Sequence, residues 1–174
     1  HCISSAASDV YKRQGLAGSA IFIALCIDAV TDPLMGTISD RTNSSLGRRH
    51  PYMLISFIPM SLGYIFLFAP RQDWDMSQTD LFIWMTIFTV LTRVGMTLFD
   101  IPHRAFGGEV TKDYQDRTIL MSWREAFGWV AGLSNAFLGY GIFFASTPEY
   151  PQGQLNPDVW FPFALTGALV MIIS

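Results

Sequence analysis

Five apolar runs alternate with short polar connections along the chain, at residues 16–38, 52–69, 81–104, 119–145 and 159 to the end. The first is long enough to cross a bilayer as a helix, and the second lies near the lower limit. Gly47, Pro51, Pro70, Pro148, Pro151 and Pro157 fall in or beside the connections, where they turn or stop helices. No low-complexity linker divides the runs. The pattern predicts an all-α integral membrane protein with five transmembrane helices in one domain over residues 15–174. Residues 1–14 form a polar leader that stops abruptly at Gly15. Because the chain starts without Met and an apolar run is interrupted at Ser174, it is expected to be a fragment, with the leader foreign to the fold.

Polar residues inside the runs break this pattern. Asp28 and Asp32 lie in the first run, four apart and therefore on one helical face. Insertion scales assign about 2.5–3.5 kcal/mol to each central Asp, against a return of about 0.3–0.6 kcal/mol from each Leu, Ile, Phe or Val. Two charges thus offset most of the run's apolar gain. Intramembrane ionisable groups mark ion and substrate pathways, and the simplest alternative is a buried acid pair neutralised by a proton or a basic partner. On the bare sequence, Asp28→Asn is expected to ease insertion, since a neutral amide is cheaper to bury than a charge.

The third run carries Arg93, Thr97, Asp100 and Arg104 at spacings of four, three and four, within roughly 60° of one helical face. Pro102, just past Asp100, removes a backbone donor, which suits irregular backbone lining a cavity. In the fourth run, Arg124 is a candidate to neutralise an acid or to bind a substrate hydroxyl or anion through its donor fork. Gly128 and Gly132 are packing signals only.

The composition agrees. Of 174 residues, 51% are hydrophobic and 14% charged, where soluble domains average about 25% charged; mean hydropathy is +0.32. A net charge of -3 and the lack of a basic cluster exclude a nucleic-acid partner. Cys2 and Cys26 make no metal or redox spacing. An intramembrane aspartyl hydrolase fits poorly, because both acids share one helix and neither HExxH nor GxSxG occurs. The chain is not expected to be an enzyme. A structural membrane subunit is the remaining alternative, and it leaves the polar stripes unexplained. Arg41, Arg48 and Arg49 between the first two runs, and Lys112 and Arg117 between the third and fourth, place those connections in the cytoplasm. The second connection has Arg71 alone beside Asp73, Asp75 and Asp80.

The series Asp28-Ala-Val-Thr31-Asp32-Pro33-x-x-Gly36, Ser39-Asp40-Arg41-Thr42 and Gly47-Arg48-Arg49 resembles the glycoside–pentoside–hexuronide:cation symporters of the major facilitator superfamily, to which the melibiose carrier belongs. Asp100-Ile101-Pro102 and Arg124 continue the match in order. The resemblance implies that the five helices are the second to sixth of twelve, in the N-terminal half. It implies a sodium or proton site from Asp28, Thr31, Asp32 and Thr97, with Asp28 and Asp32 holding Na+ if sodium is the coupling ion. It also implies a substrate site with Asp100 and Arg124, to which Arg93 and Arg104 are added, and a cytoplasmic latch from Gly36, Asp40, Arg41, Gly47, Arg48 and Arg49. The melibiose carrier has Asn for Thr31, Trp for Arg104 and Gly for Arg93; two extra arginines suit an acidic substrate such as a hexuronide. The expected function is alternating-access symport of a sugar or glycoside with Na+ or H+, with no other cofactor. The expected setting is the inner or plasma membrane, multi-pass, with lipid and the remainder of the carrier as partners. Lysophospholipid carriers of the same fold are the nearest alternative.

Overall fold

The structure is a computed structural model that describes residues 2–70, 74–111, 113–148 and 150–173. Arg71, Asp73 and Lys112, used above for orientation, and His1 and Ser174 at the ends, lie outside the described residues. The described chain is helical: α1 (Cys2–Arg41), α2 (His50–Leu67), α3 (Gln78–Val110), α4 (Tyr114–Leu138) and α5 (Trp160–Ile173). A π-helical turn, Gly139–Phe143, prolongs α4, and two short 3-10 turns precede α5.

Local chemistry sets the boundaries. Pro51 sits in the first turn of α2, where a missing N–H is harmless. Ser77 and Asp80 form a reciprocal capping box at the start of α3, and Asp113 caps α4 by accepting from the N–H groups of Gln115 and Asp116. Pro33 and Pro102 lie inside α1 and α3 without ending them. Each removes one N–H, so the carbonyls of Ala29 and Leu98, four residues earlier, lack their intrahelical donor. The third helix therefore runs past Arg104 to Val110, longer than its apolar stretch.

Four helices are long and apolar enough to span a membrane: Gln14–Arg41, His50–Leu67, Gln78–Val110 and Tyr114–Phe143. The fifth expected span is not reached within the described residues. With 14 residues, α5 extends only about 21 Å at 1.5 Å per residue, short of the roughly 30 Å hydrocarbon core.

Helix α3 is the centre, packed between α1 and α2, while α5 rests on α2 and α4 touches α3 lightly. The crossing of α2 and α3 is a backbone contact. A Cβ on Gly63 would stand 2.7 Å from the Thr92 nitrogen, and one on Gly95 would stand 2.6 Å from the Met60 nitrogen. Only glycine allows this approach. Buried apolar side chains are few and mostly small, led by Ala20, Ala24, Ala164 and Ala168, while Phe22, Phe127 and Trp129 (73% accessible) face outward. In water such an apolar surface is an association hazard; in a bilayer it faces lipid or neighbouring helices. The chain is a multi-pass membrane protein.

Candidate functional site

Ala20, Ala24, Met35 and Ser39 form the buried stripe of α1. Asp28 and Asp32 fall on the same stripe at helical spacing, so the fold turns both acids toward α3 rather than toward lipid. The two helices are paired turn for turn with a constant offset: Asp28 with Arg93, Asp32 with Thr97, and Gly36 against Ile101. The Arg93 Nε donates to Asp28 Oδ2 at 2.5 Å, and the Thr97 hydroxyl donates to Asp32 Oδ1 at 2.8 Å. The stripes seen separately in the first and third runs are two sides of one junction near the middle of both spans.

A cavity of about 130 Å3 opens at this junction, lined by Asp28, Asp32, Arg93, Met96, Thr97, Asp100 and Ile101. Asp28 is well enclosed, its side chain 14% accessible, and Arg93 covers it with 38%. Asp28 Oδ1 is buried with no hydrogen-bond partner. A buried acceptor left bare costs about 1–3 kcal/mol, which any donor or cation entering the cavity would offset. Carboxylate and hydroxyl oxygens are the donors that a hard cation prefers. Among the described residues, no three His, Cys, Asp or Glu side chains converge. At the α1 end of the cavity two acids, Asp28 and Asp32, face one arginine, Arg93.

At the other end of the cavity, Asp100 is gripped from two helices. Arg104 Nε donates to Oδ2 at 2.5 Å from one turn along α3, and Arg124 Nη2 lies 3.4 Å from Oδ1 across from α4. Arg104 and Arg124 reach the cavity only through Asp100; they do not line it. Thr31 is the expected ligand that the structure does not bring in. Its hydroxyl donates to the Asp28 carbonyl at 3.5 Å, and it is not among the lining residues. Position 31 is 100° around the helix from position 32, at 100° per residue, and 60° from position 28 on the side away from Asp32. Arg93, grouped above with the substrate residues, sits on the cation side.

Of the residues expected in the latch, Asp40, Arg48 and Arg49 meet in ion pairs at the end of the bundle that holds the basic connections. Arg49, its side chain 10% accessible, donates to Asp40 Oδ1 at 2.8 Å and lies 3.3 Å from Glu109; Arg48 pairs with Glu109 as well. Gly47 takes the left-handed φ of 93° that turns the chain into α2. Arg41 ends α1 as its only last-turn cation. Glu109 is the residue that sequence reasoning missed, because it lies beyond the apolar part of α3, one residue before the helix ends at Val110, where a lone acid gives no periodic signal.

The family described as MFS/sugar transport protein matches residues 9–174. A symporter of Synechocystis sp. is 33% identical over 162 residues, 91% of this chain and 28% of its own length. The inner membrane symporter YicJ of Escherichia coli is 30% identical over 124 residues, 71% of this chain and 26% of its own. The sodium-dependent lysophosphatidylcholine symporter 1-A of Danio rerio is 31% identical over 147 residues, 80% of this chain and 26% of its own. The chain therefore spans about a quarter of the length of these relatives. No solved structure gives a significant match. With the paired acids of α1 facing the polar stripe of α3, and the family match covering both, the chain belongs to the MFS/sugar transport family and to its glycoside–pentoside–hexuronide:cation symporter group.

Proposed function

We propose that this chain is part of a cell-membrane carrier that performs cation-coupled symport of a sugar or glycoside by alternating access. The observation that carries the reading is that one midspan cavity is shared by Asp28, Asp32 and Thr97 at one end and Asp100 at the other. A coupling ion, Na+ or H+, is held by the two α1 acids with the Thr97 hydroxyl. Substrate hydroxyls bond Asp100 as acceptor and Arg124 as donor, as charge-assisted pairs. Because one cavity holds both, each ligand changes the affinity for the other by the same factor. Two arginines on one aspartate leave a local positive charge, which favours an acidic sugar.

The similarity to a symporter named for lysophosphatidylcholine supports a second reading, an amphiphile carrier. The cavity favours the sugar, since five of its seven lining residues are charged or hydroxylic and an acyl chain needs an apolar slot. Uptake into vesicles containing the complete carrier tests both, with melibiose, a methyl glucuronide and lysophosphatidylcholine under an imposed sodium or proton gradient. Asp32→Asn is expected to abolish uphill accumulation and to keep exchange down a gradient. Normal accumulation by Asp32→Asn removes the ion site, and uptake of the lysolipid alone replaces the sugar reading.

A further inference from the structure

Resting on the ion-site reading above, we propose that Arg93 is a tethered cation that occupies the Asp28 half of the site and competes with the coupling ion for it, so that this one residue sets the site's ion affinity. A clamp that served only to hold α1 against α3 would use both carboxylate oxygens and the fork of the guanidinium, the bidentate geometry that makes such pairs strong. Arg93 does neither. It approaches side-on through Nε to Oδ2 alone, and Asp28 Oδ1 stays buried and bare. Among the described residues its two terminal nitrogens bond no side chain, and the guanidinium lines the cavity rather than closing it.

The electrostatics then force a choice. Asp28, Asp32 and Arg93 sum to one negative charge, whereas the acids alone would carry two. An ion that reaches between the carboxylates meets the guanidinium at close range, where like charges repel strongly in a site of low polarisability. Full use of Asp28 by the incoming ion requires Arg93 to let go of Oδ2. The ion is therefore bound in exchange for an internal cation, and its affinity is lower than two free aspartates would give. Thr97, the residue one turn on in the same stripe, plays the opposite part: it donates to Asp32 without adding charge and so leaves that half available.

The test is equilibrium binding of radioactive sodium to the complete purified carrier, as wild type and as Arg93→Met, which keeps an unbranched side chain of similar length without the charge. Arg93→Met is expected to bind sodium at least about tenfold more tightly, including the case in which the wild type binds none measurably. Adding Asp28→Asn to Arg93→Met is expected to cancel that gain. Arg93→Lys, with a shorter and more strongly hydrated charge, is expected to tighten binding by a few-fold, and it carries the test if Arg93→Met does not fold. Unchanged or weaker sodium binding in the folded variants overturns the proposal, as does a gain that survives Asp28→Asn. Asp32→Asn separates the two readings. If Arg93→Met with Asp32→Asn binds sodium as tightly as Arg93→Met alone, the ion site itself is misplaced; if Asp32→Asn loses the sodium that the wild type binds while Arg93→Met is unchanged, only the role of Arg93 falls.

Discussion

Two ion-pair clusters join the first two helices of the chain to α3, and they are built in opposite senses. At midspan α1 supplies the acids and α3 the arginine, as Asp28 and Arg93. At the loop end the connection after α1 supplies Arg48 and Arg49, and α3 supplies the acid, Glu109. The loop-end cluster lies beyond the apolar stretch, where Arg48 is 52% accessible while Arg49 Nε and Nη1 are buried without a partner. The midspan cluster lies within the apolar spans, with Asp28 14% accessible. Its pairs must neutralise each other, and one oxygen there, Asp28 Oδ1, is left bare. The same chemistry thus acts as a fastener at one level of the helices and, on the function proposed above, as a binding site at another.

The contrast is broken most directly by removing one acid at midspan. Asp28→Ala strands Arg93 inside the span, and breaking a buried pair from one side costs about 3–5 kcal/mol. The thermal midpoint of the purified complete carrier should fall sharply and its insertion should decline, while Asp28→Ala with Arg93→Met should recover most of the loss. Equal stability of the single and double variants would mean that midspan is as wet as the loop end. The same pair revises the sequence-based expectation for Asp28→Asn. Easier insertion follows only for an isolated acid; with Arg93 attached to it, the amide leaves the arginine's charge behind.

How much of this was legible in sequence follows from periodicity. Asp28, Asp32 and Gly36, and Arg93, Thr97 and Ile101, each repeat every four residues, so each face could be read from its own helix. Their mutual register could not, because which turn of α3 meets which turn of α1 depends on the packing of the whole bundle. The placement of Arg93 with the substrate residues and of Thr31 with the ion ligands came from the family resemblance, and only the packing shows Arg93 against Asp28 and the Thr31 hydroxyl turned back to its own helix. Arg48, Arg49 and Asp40 were visible as a charged loop motif. Glu109, their partner, lies on a segment where hydrophobic periodicity has faded, and only the fold brings it to them. The close approach at Gly63 and Gly95 was equally hidden, since an isolated glycine in an apolar run announces no partner.

A smaller effect is expected from the acid at the loop end. Glu109→Gln removes the charge that Arg48 and Arg49 share, but Arg49 keeps Asp40 at 2.8 Å, so nothing is stranded. A loss of about 1 kcal/mol, enough to shift a two-state equilibrium about fivefold, should appear as faster thiol labelling of a cysteine placed at Ser45, beside the arginines, with little change in thermal midpoint. A drop in midpoint as large as that of Asp28→Ala would show that the loop end, too, is sealed from water.

The smallest effect separates the two arginines of the loop end from each other. Arg48 and Arg49 both reach Glu109, yet Arg49 is buried and Arg48 is half exposed. Exposed pairs are worth about 0.2–1 kcal/mol, and at 1 M salt the screening length falls to about 3 Å. A double-mutant cycle on thermal stability should therefore give a small coupling for Arg48 with Glu109, using Ala at each position, which 1 M potassium chloride abolishes. The matching cycle for Arg49 with Glu109 should give a larger coupling that persists at the same salt, because its surroundings exclude the screening ions. Potassium is chosen because sodium is itself a candidate ligand of the midspan site. If both couplings vanish with salt, burial of Arg49 does not protect it and the latch is a surface feature throughout. If neither responds to salt, the boundary between fastener and binding site lies further toward the loops than the accessibility of Arg48 places it.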